Sequence, residues 1–132
     1  MLHHLKSIVM ISSALVVGGC SGNGSDSEKI IDKPDFKPVN GQYDINALEA
    51  FGRVSDPKIS PDGSKILYGV SYESVEENKS NLDLYTMNPD GTGAERLTKT
   101  ADSENGYTWI EGGKKIAFMS KVDGKMQLCH TL

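Results

Sequence analysis

The chain has 132 residues, with 18 acidic and 14 basic side chains, a formal net charge of −4 and 37% hydrophobic residues. This length sets a ceiling of one small domain, and the acidic balance argues against a nucleic-acid partner, which requires a basic surface. The chain has two cysteines, Cys20 and Cys129; if Cys20 is modified, Cys129 is left alone and a disulfide framework is excluded.

The first 19 residues have the layout of an export leader. Lys6 gives a short basic region, and residues 8–17 form an apolar run that is too short to span a bilayer. The following Val17-Gly18-Gly19-Cys20 resembles the lipobox of bacterial lipoproteins. The resemblance implies cleavage before Cys20, a lipid anchor on Cys20, and a membrane-anchored protein on the periplasmic or cell-surface side. The alternative is an ordinary secretory leader followed by an incidental cysteine.

Residues 20–43 are predicted to be a flexible linker. They open with Ser, Gly, Asn and Asp, continue with Pro34 and Pro38, and show no apolar periodicity. A short helix is expected over residues 44–51, with Asp44 as its N-cap and Gly52 after its end.

A β-hairpin is predicted next, around the turn Ser60-Pro61-Asp62-Gly63. Proline fixes φ at the second turn position, and glycine takes the left-handed conformation that closes a bulged hairpin. A short strand over residues 58–60 enters the turn, and a longer strand leaves it and ends near Tyr72. The second strand places Ile66, Tyr68, Val70 and Tyr72 on one face and Leu67 and Gly69 on the other.

The hairpin recurs later in the chain. Gly113 follows Gly63 by 50 residues, and Ile116 follows Ile66 by 50 residues. The same shift places Trp109 on Ile59, so Trp109 is expected in the core of the second unit. Self-similarity at a fixed period, with several strands in each unit, is typical of a β-propeller.

Each repeat is predicted to be one propeller blade of antiparallel strands. The first, about residues 54–100, adds a third strand over 82–88, a second Pro-Asp-Gly turn, and a polar edge strand over 94–98. The second, about residues 106–132, turns at Asp123-Gly124 into a third strand that begins at 125–128 and shows no fourth. The sequence thus predicts an all-β fold of just under two blades within residues 44–132.

The two blades are expected to pack face to face. Ile66, Tyr68 and Val70 share one face of the second strand, and we expect this face to contact Ile116 and Phe118 of the second blade.

Four stretches resemble the opening of the propeller in prolyl oligopeptidase family serine peptidases, closest to the acylaminoacyl-peptidase and dipeptidyl-peptidase 5 branch. They are residues 52–57, 60–63, 75–85 and 91–98. The resemblance implies that the chain is the N-terminal, non-catalytic part of a longer peptidase whose α/β-hydrolase domain follows the propeller. It also implies short peptides as substrates, with the propeller gating their access.

An alternative function stays open, because part of the resemblance is not specific. The Ser-Pro-Asp-Gly and Arg-Leu-Thr pieces also occur in the propeller of the Tol-system periplasmic protein TolB. The alternative is therefore a TolB-like lipoprotein propeller that binds proteins and has no hydrolase activity.

No catalytic residue is assigned within the chain. It contains no Gly-x-Ser-x-Gly nucleophile elbow, and His130 is the only histidine outside the predicted leader. The adjacent Cys129 and His130 are interpreted as a chance pair. Residues 102–106 are acidic but lack the ligand spacing of a calcium loop, so an inter-blade loop is expected. No metal and no cofactor are predicted.

Three glutamates are the candidate binding residues: Glu73, Glu76 and Glu77 in the loop between the second and third strands. By the resemblance, they could bind the positively charged amino terminus of a substrate, as acidic pairs do in relatives with dipeptidyl-peptidase activity. The interpretation that the residues themselves favour is a solvated hairpin loop.

Overall fold

The structure is a computed structural model that describes residues 29–44 and 46–131. The predicted leader and Cys20 lie outside the described residues. The described residues form one short helix and seven strands, with these bounds: α1 Ala47–Ala50, β1 Arg53–Ile59, β2 Ile66–Ser74, β3 Lys79–Met87, β4 Glu95–Arg96, β5 Asn105–Ile110, β6 Lys115–Val122 and β7 Lys125–Thr131.

The strands form two antiparallel sheets, ordered β1-β2-β3-β4 and β5-β6-β7. This confirms the predicted all-β fold, with a sheet of four strands followed by a sheet of three. The 50-residue repeat is visible in the register, since Ile59 pairs with Ile66 and Trp109 pairs with Ile116. Each first strand also carries an irregularity at the equivalent place, between residues 55 and 58 and between residues 105 and 108.

The first turn forms as predicted. The backbone nitrogen of Gly63 donates to the Ser60 oxygen at 2.8 Å, and Gly63 has a φ of +74°. The Asp62 carboxylate accepts from the Ser60 hydroxyl at 2.6 Å and from the Ser64 backbone at 3.1 Å. These bonds lower the pKa of Asp62 to about 2, so the carboxylate is ionised at neutral pH.

The equivalent turn of the second repeat packs against the first. It has three successive residues with positive φ: Glu111 at 50°, Gly112 at 68° and Gly113 at 90°. A Cβ atom on Gly113 would lie 2.9 Å from Cδ of Pro61. Glycine is therefore required at residue 113 both by the backbone conformation and by the neighbouring turn.

The core lies between the two sheets. Its buried members are Leu67 and Leu84 from the first sheet and Tyr107, Ile116, Phe118 and Cys129 from the second. The expectation that Ile66, Tyr68 and Val70 face Ile116 and Phe118 is wrong, because the opposite face of β2 does so. Gly69 explains this choice, since its missing side chain leaves room for the Tyr107 hydroxyl, 3.0 Å from the position of a Cβ atom.

Two aromatic side chains of β5 hydrogen-bond across the sheet interface. The Tyr107 hydroxyl accepts from the Gly69 backbone nitrogen at 3.0 Å and lies 2.8 Å from the backbone oxygen of Ser55. The indole nitrogen of Trp109 donates to the Lys58 backbone oxygen at 3.0 Å, and the ring packs against the core. The bonds to Ser55 and Lys58 end at the irregular part of β1, which they tie to the second sheet.

The ends of several elements differ from the sequence-based prediction. The helix has only four residues, and Asn46, not Asp44, is its N-cap; the Asp44 carboxylate instead accepts from the Asn46 backbone at 2.9 Å. Strand β1 begins at Arg53, well before residue 58, because the irregularity at residues 55–58 lets pairing resume on its far side. Strand β4 has two residues where five were expected.

Candidate functional site

The three candidate glutamates lie together at the tip of the β2–β3 hairpin. Glu73 belongs to the end of β2, and the turn that follows is closed by a 3.2 Å hydrogen bond from the Asn78 nitrogen to the Val75 oxygen. Asn78 has a φ of +47°, which asparagine tolerates better than most residues. All three glutamates line one open cleft of about 200 Å³, whose other wall includes residues 29–32.

Two of the three glutamates hold a primary ammonium group that belongs to the chain itself. The Nζ atom of Lys29 lies 2.8 Å from Glu76 and 3.3 Å from Glu77. The hydrogen bond from Lys29 lowers the pKa of Glu76, and the same pair raises the pKa of Lys29. These side chains are largely exposed, so solvent screens the attraction and the pair adds little to stability.

Glu73 has a different partner from the other two glutamates. Its carboxylate is paired with Arg53 of β1, on the neighbouring strand of the same sheet. Glu76 and Glu77 therefore hold a cation that the chain itself supplies, while Glu73 is paired within the first sheet. Sequence reasoning missed Lys29, because residues 20–43 were read as a linker and gave no reason to expect a contact with the hairpin.

Residues 29–34 lie against the first sheet, and an ion pair fixes them there. Ile31 is buried, and the Asp32 carboxylate is paired with Arg96 and, at 3.1 Å, with Lys99. Arg96 also donates to Asp83 of β3 at 2.6 Å, so it bridges the N-terminal segment and the sheet.

The adjacent Cys129 and His130 do not form a thiol site. They point to opposite faces of β7, since Cys129 pairs with buried Phe118 and His130 pairs with Ala117. Cys129 is 1% exposed, and no free cysteine occurs among the described residues, so the expectation that Cys129 stands alone is wrong.

Among residues 29–44 and 46–131, no group of three or more His, Cys, Asp or Glu side chains is placed to hold a metal ion. None of the helices in this part of the chain is long and apolar enough to cross a bilayer.

The sheets and turns define a propeller-type β protein, and sequence comparison identifies similar proteins. The chain is 45% identical over 76 residues to dipeptidyl-peptidase 5 of Porphyromonas gingivalis, covering 58% of the chain and 11% of that protein. It is 35% identical over 85 residues to dipeptidyl-peptidase 5 of Porphyromonas endodontalis, covering 64% of the chain and 12% of that protein. These matches confirm the resemblance to the dipeptidyl-peptidase 5 branch.

The matched part of the chain is thus a small share of either curated relative, about one eighth or less of its length. No family model matches the chain.

Proposed function

We propose that this chain is the non-catalytic propeller portion of a lipid-anchored serine peptidase that removes dipeptides from the amino terminus of short peptides. The observation that carries the proposal is the 45% identity to dipeptidyl-peptidase 5 over 76 residues, in a chain whose described residues form two antiparallel sheets. The nucleophile and its histidine base would be supplied by an α/β-hydrolase domain, because the chain itself has no nucleophile elbow.

In this proposal the propeller restricts which peptides reach the serine. A narrow entrance excludes folded proteins, and the acidic cleft selects peptides with a free amino terminus. Supporting this role, Glu76 and Glu77 hold the Lys29 ammonium, which has the same charge and hydrogen-bond donors as a peptide amino terminus.

A chimera tests the proposed function. Residues 29–131 of this chain replace the corresponding segment of the P. gingivalis relative, and turnover of a dipeptidyl chromogenic substrate is measured. We expect the chimera to retain activity, because the replaced segment would perform the same positioning role. A chimera that folds, as shown by its circular dichroism, but has no activity would contradict the proposal.

The lipid anchor is a separate part of the proposal, supported by the lipobox-like residues that end at Cys20. We expect the wild-type protein to sediment with the membrane fraction and to need detergent for its release. We expect Cys20→Ser to be found in the soluble fraction. Cys129→Ser is the matched control, since it removes the other cysteine and should leave the protein on the membrane. A soluble wild-type protein, or release by both substitutions, would count against the anchor.

A further inference from the structure

A buried glutamate lies where the first sheet meets the second. Glu104 immediately precedes β5, is 0% exposed, and donates its backbone nitrogen to the Leu82 oxygen of β3 at 2.9 Å. Its carboxyl group contacts Ser120 of β6 at 3.0 Å and Thr100 of the β4–β5 connection at 2.8 Å. Glu104 therefore links the second sheet to the end of the first.

No basic side chain among the described residues is paired with Glu104. The charged side chains near it are paired with one another. Asp83 of β3 faces it and is paired with Arg96 of β4. Asp102, in the same connection, is paired with Lys79 and with Lys121 of β6 at 3.7 and 3.6 Å. From β6 itself, the group in contact with Glu104 is the neutral Ser120.

The hydroxyl groups around Glu104 have too few protons to serve all their acceptors. Thr98 Oγ1 lies 3.1 Å from the Asp83 carboxylate and 3.4 Å from that of Glu104. Thr100 Oγ1 lies 2.7 Å from the backbone oxygen of Asp102 and 2.8 Å from the Glu104 carboxylate. Each threonine has one hydroxyl proton, so each can donate to only one of its two acceptors. An ionised Glu104 leaves some of these close oxygen–oxygen contacts without a proton, whereas a protonated carboxyl group supplies one more donor.

We propose that Glu104 is a protonated latch between the two sheets, and that losing its proton at higher pH loosens the contact between them. The proton on Oε2 of Glu104 is donated to Thr98 Oγ1, while Ser120 donates to Oε1. When the proton leaves, a negative charge is buried beside Asp83 with no basic partner, which is unfavourable.

The direction of the pH dependence follows from the burial. Burial raises the pKa of Glu104 above the ordinary value of a glutamate, about 4.3. Between that value and the raised one, the folded chain keeps a proton that the unfolded chain has lost. The unfolding equilibrium constant therefore rises by up to about tenfold per pH unit in this window, and the stabilisation is lost as the pH passes the raised value.

Glu104→Gln tests the latch, because the amide is neutral at every pH and keeps a hydrogen-bond donor. Urea unfolding of the full chain is followed at pH 5, 6, 7 and 8 for the wild type, for Glu104→Gln, and for the control Glu95→Gln, which removes an exposed carboxylate on β4. We expect the wild type and the control to lose stability as the pH rises, and Glu104→Gln to lose clearly less. Should the full chain be too unstable to unfold reversibly, the same comparison is made in the chimera.

A second measurement reads the proton directly. The carboxyl carbon of Glu104, assigned by its disappearance in Glu104→Gln, is titrated by NMR in the wild type, and its midpoint should lie above that of the exposed glutamates. Equal pH slopes for all three proteins, a midpoint at the ordinary value, or a Glu104→Gln protein that fails to fold where the wild type folds would each overturn the proposal.

Discussion

At the scale of single residues, the molecule places its polar side chains at the junctions between elements. Tyr107 is 4% exposed, yet its hydroxyl contacts both β1 and β2 of the other sheet. Glu104, Asp83 and Thr98 form a second polar junction at the opposite edge of the interface. Because these groups are hydrogen-bonded, they specify one arrangement of the two sheets where apolar contacts alone would tolerate several.

Tyr107→Phe should destabilise the fold by about 1–3 kcal/mol. The substitution keeps the ring in the core but leaves the buried Gly69 nitrogen without its acceptor, and an unsatisfied buried donor has a cost of this size. Urea unfolding measures the change, with Tyr43→Phe as the control, since Tyr43 is 68% exposed. Equal free energies of unfolding for Tyr107→Phe and Tyr43→Phe would show that the Tyr107 hydroxyl does not stabilise the fold.

Glu76→Gln combined with Glu77→Gln should raise the KM of the chimera for dipeptidyl substrates about two- to fivefold and leave kcat unchanged. Exposed ion pairs contribute about 0.2–1 kcal/mol, which sets this modest size. An effect on KM alone indicates lost substrate binding with no change in the chemical step. The matched control is Glu95→Gln, an exposed carboxylate away from the cleft; an unchanged KM in the double variant would remove the cleft from substrate binding.

At the scale of elements, the two hairpin turns pack on each other, and a pair of glycine substitutions separates conformation from contact. Gly63 and Gly113 both have positive φ, but a Cβ atom on Gly63 meets nothing within 4 Å, while one on Gly113 meets Pro61. Gly63→Ala should cost about 1–2 kcal/mol from backbone strain. Gly113→Ala should lower the free energy of unfolding by about 1–3 kcal/mol more than Gly63→Ala does, because the two turns must also move apart.

Comparing the urea midpoints of the two glycine variants measures the contact between the repeats. Similar costs for both substitutions would mean that the turns do not support each other.

The turns were the part of the fold that the sequence specified best. Pro-Asp-Gly and Asp-Gly restrict φ locally, so their geometry depends little on distant residues. The predicted Asp-Gly turn is present, and Asp123 and Gly124 have the positive φ values, 50° and 75°, that such a two-residue turn requires. The buried face of β2 was predicted wrongly because both faces are largely apolar. Only Gly69, which makes room for a tyrosine 38 residues later, decides between them.

The site was less predictable than the turns, because it depends on contacts between residues that are far apart in sequence. The three glutamates are close in sequence, so their grouping at one hairpin tip could be expected. Lys29 lies 47 residues from Glu76 in the sequence, and no local pattern predicts that they pair. Glu104 was read as part of a polar loop, since its burial depends on the meeting of two sheets.

At the scale of the whole molecule, one interface between two sheets supplies most of the core. The outer face of the second sheet leaves Met126 and Leu128 of β7 more than half exposed, and β7 is the edge strand of its sheet. Repeat folds are stabilised by the sum of their interfaces, and about three units are usually needed for stability. Ordering each residue costs about 1–2 kcal/mol of backbone entropy, so a single interface leaves little net stability.

The chain in isolation should therefore unfold over a broad range of urea concentration and associate through β7, whereas the same residues in the chimera should unfold cooperatively. An edge strand with exposed apolar side chains pairs readily with other chains, and a charge on it opposes pairing. Leu128→Lys should reduce the associated fraction in sedimentation velocity, while Val75→Lys, at an exposed turn away from the edge, should not. A monomeric wild-type chain with a sharp two-state transition and well-dispersed amide resonances would show that the two sheets form a stable domain by themselves.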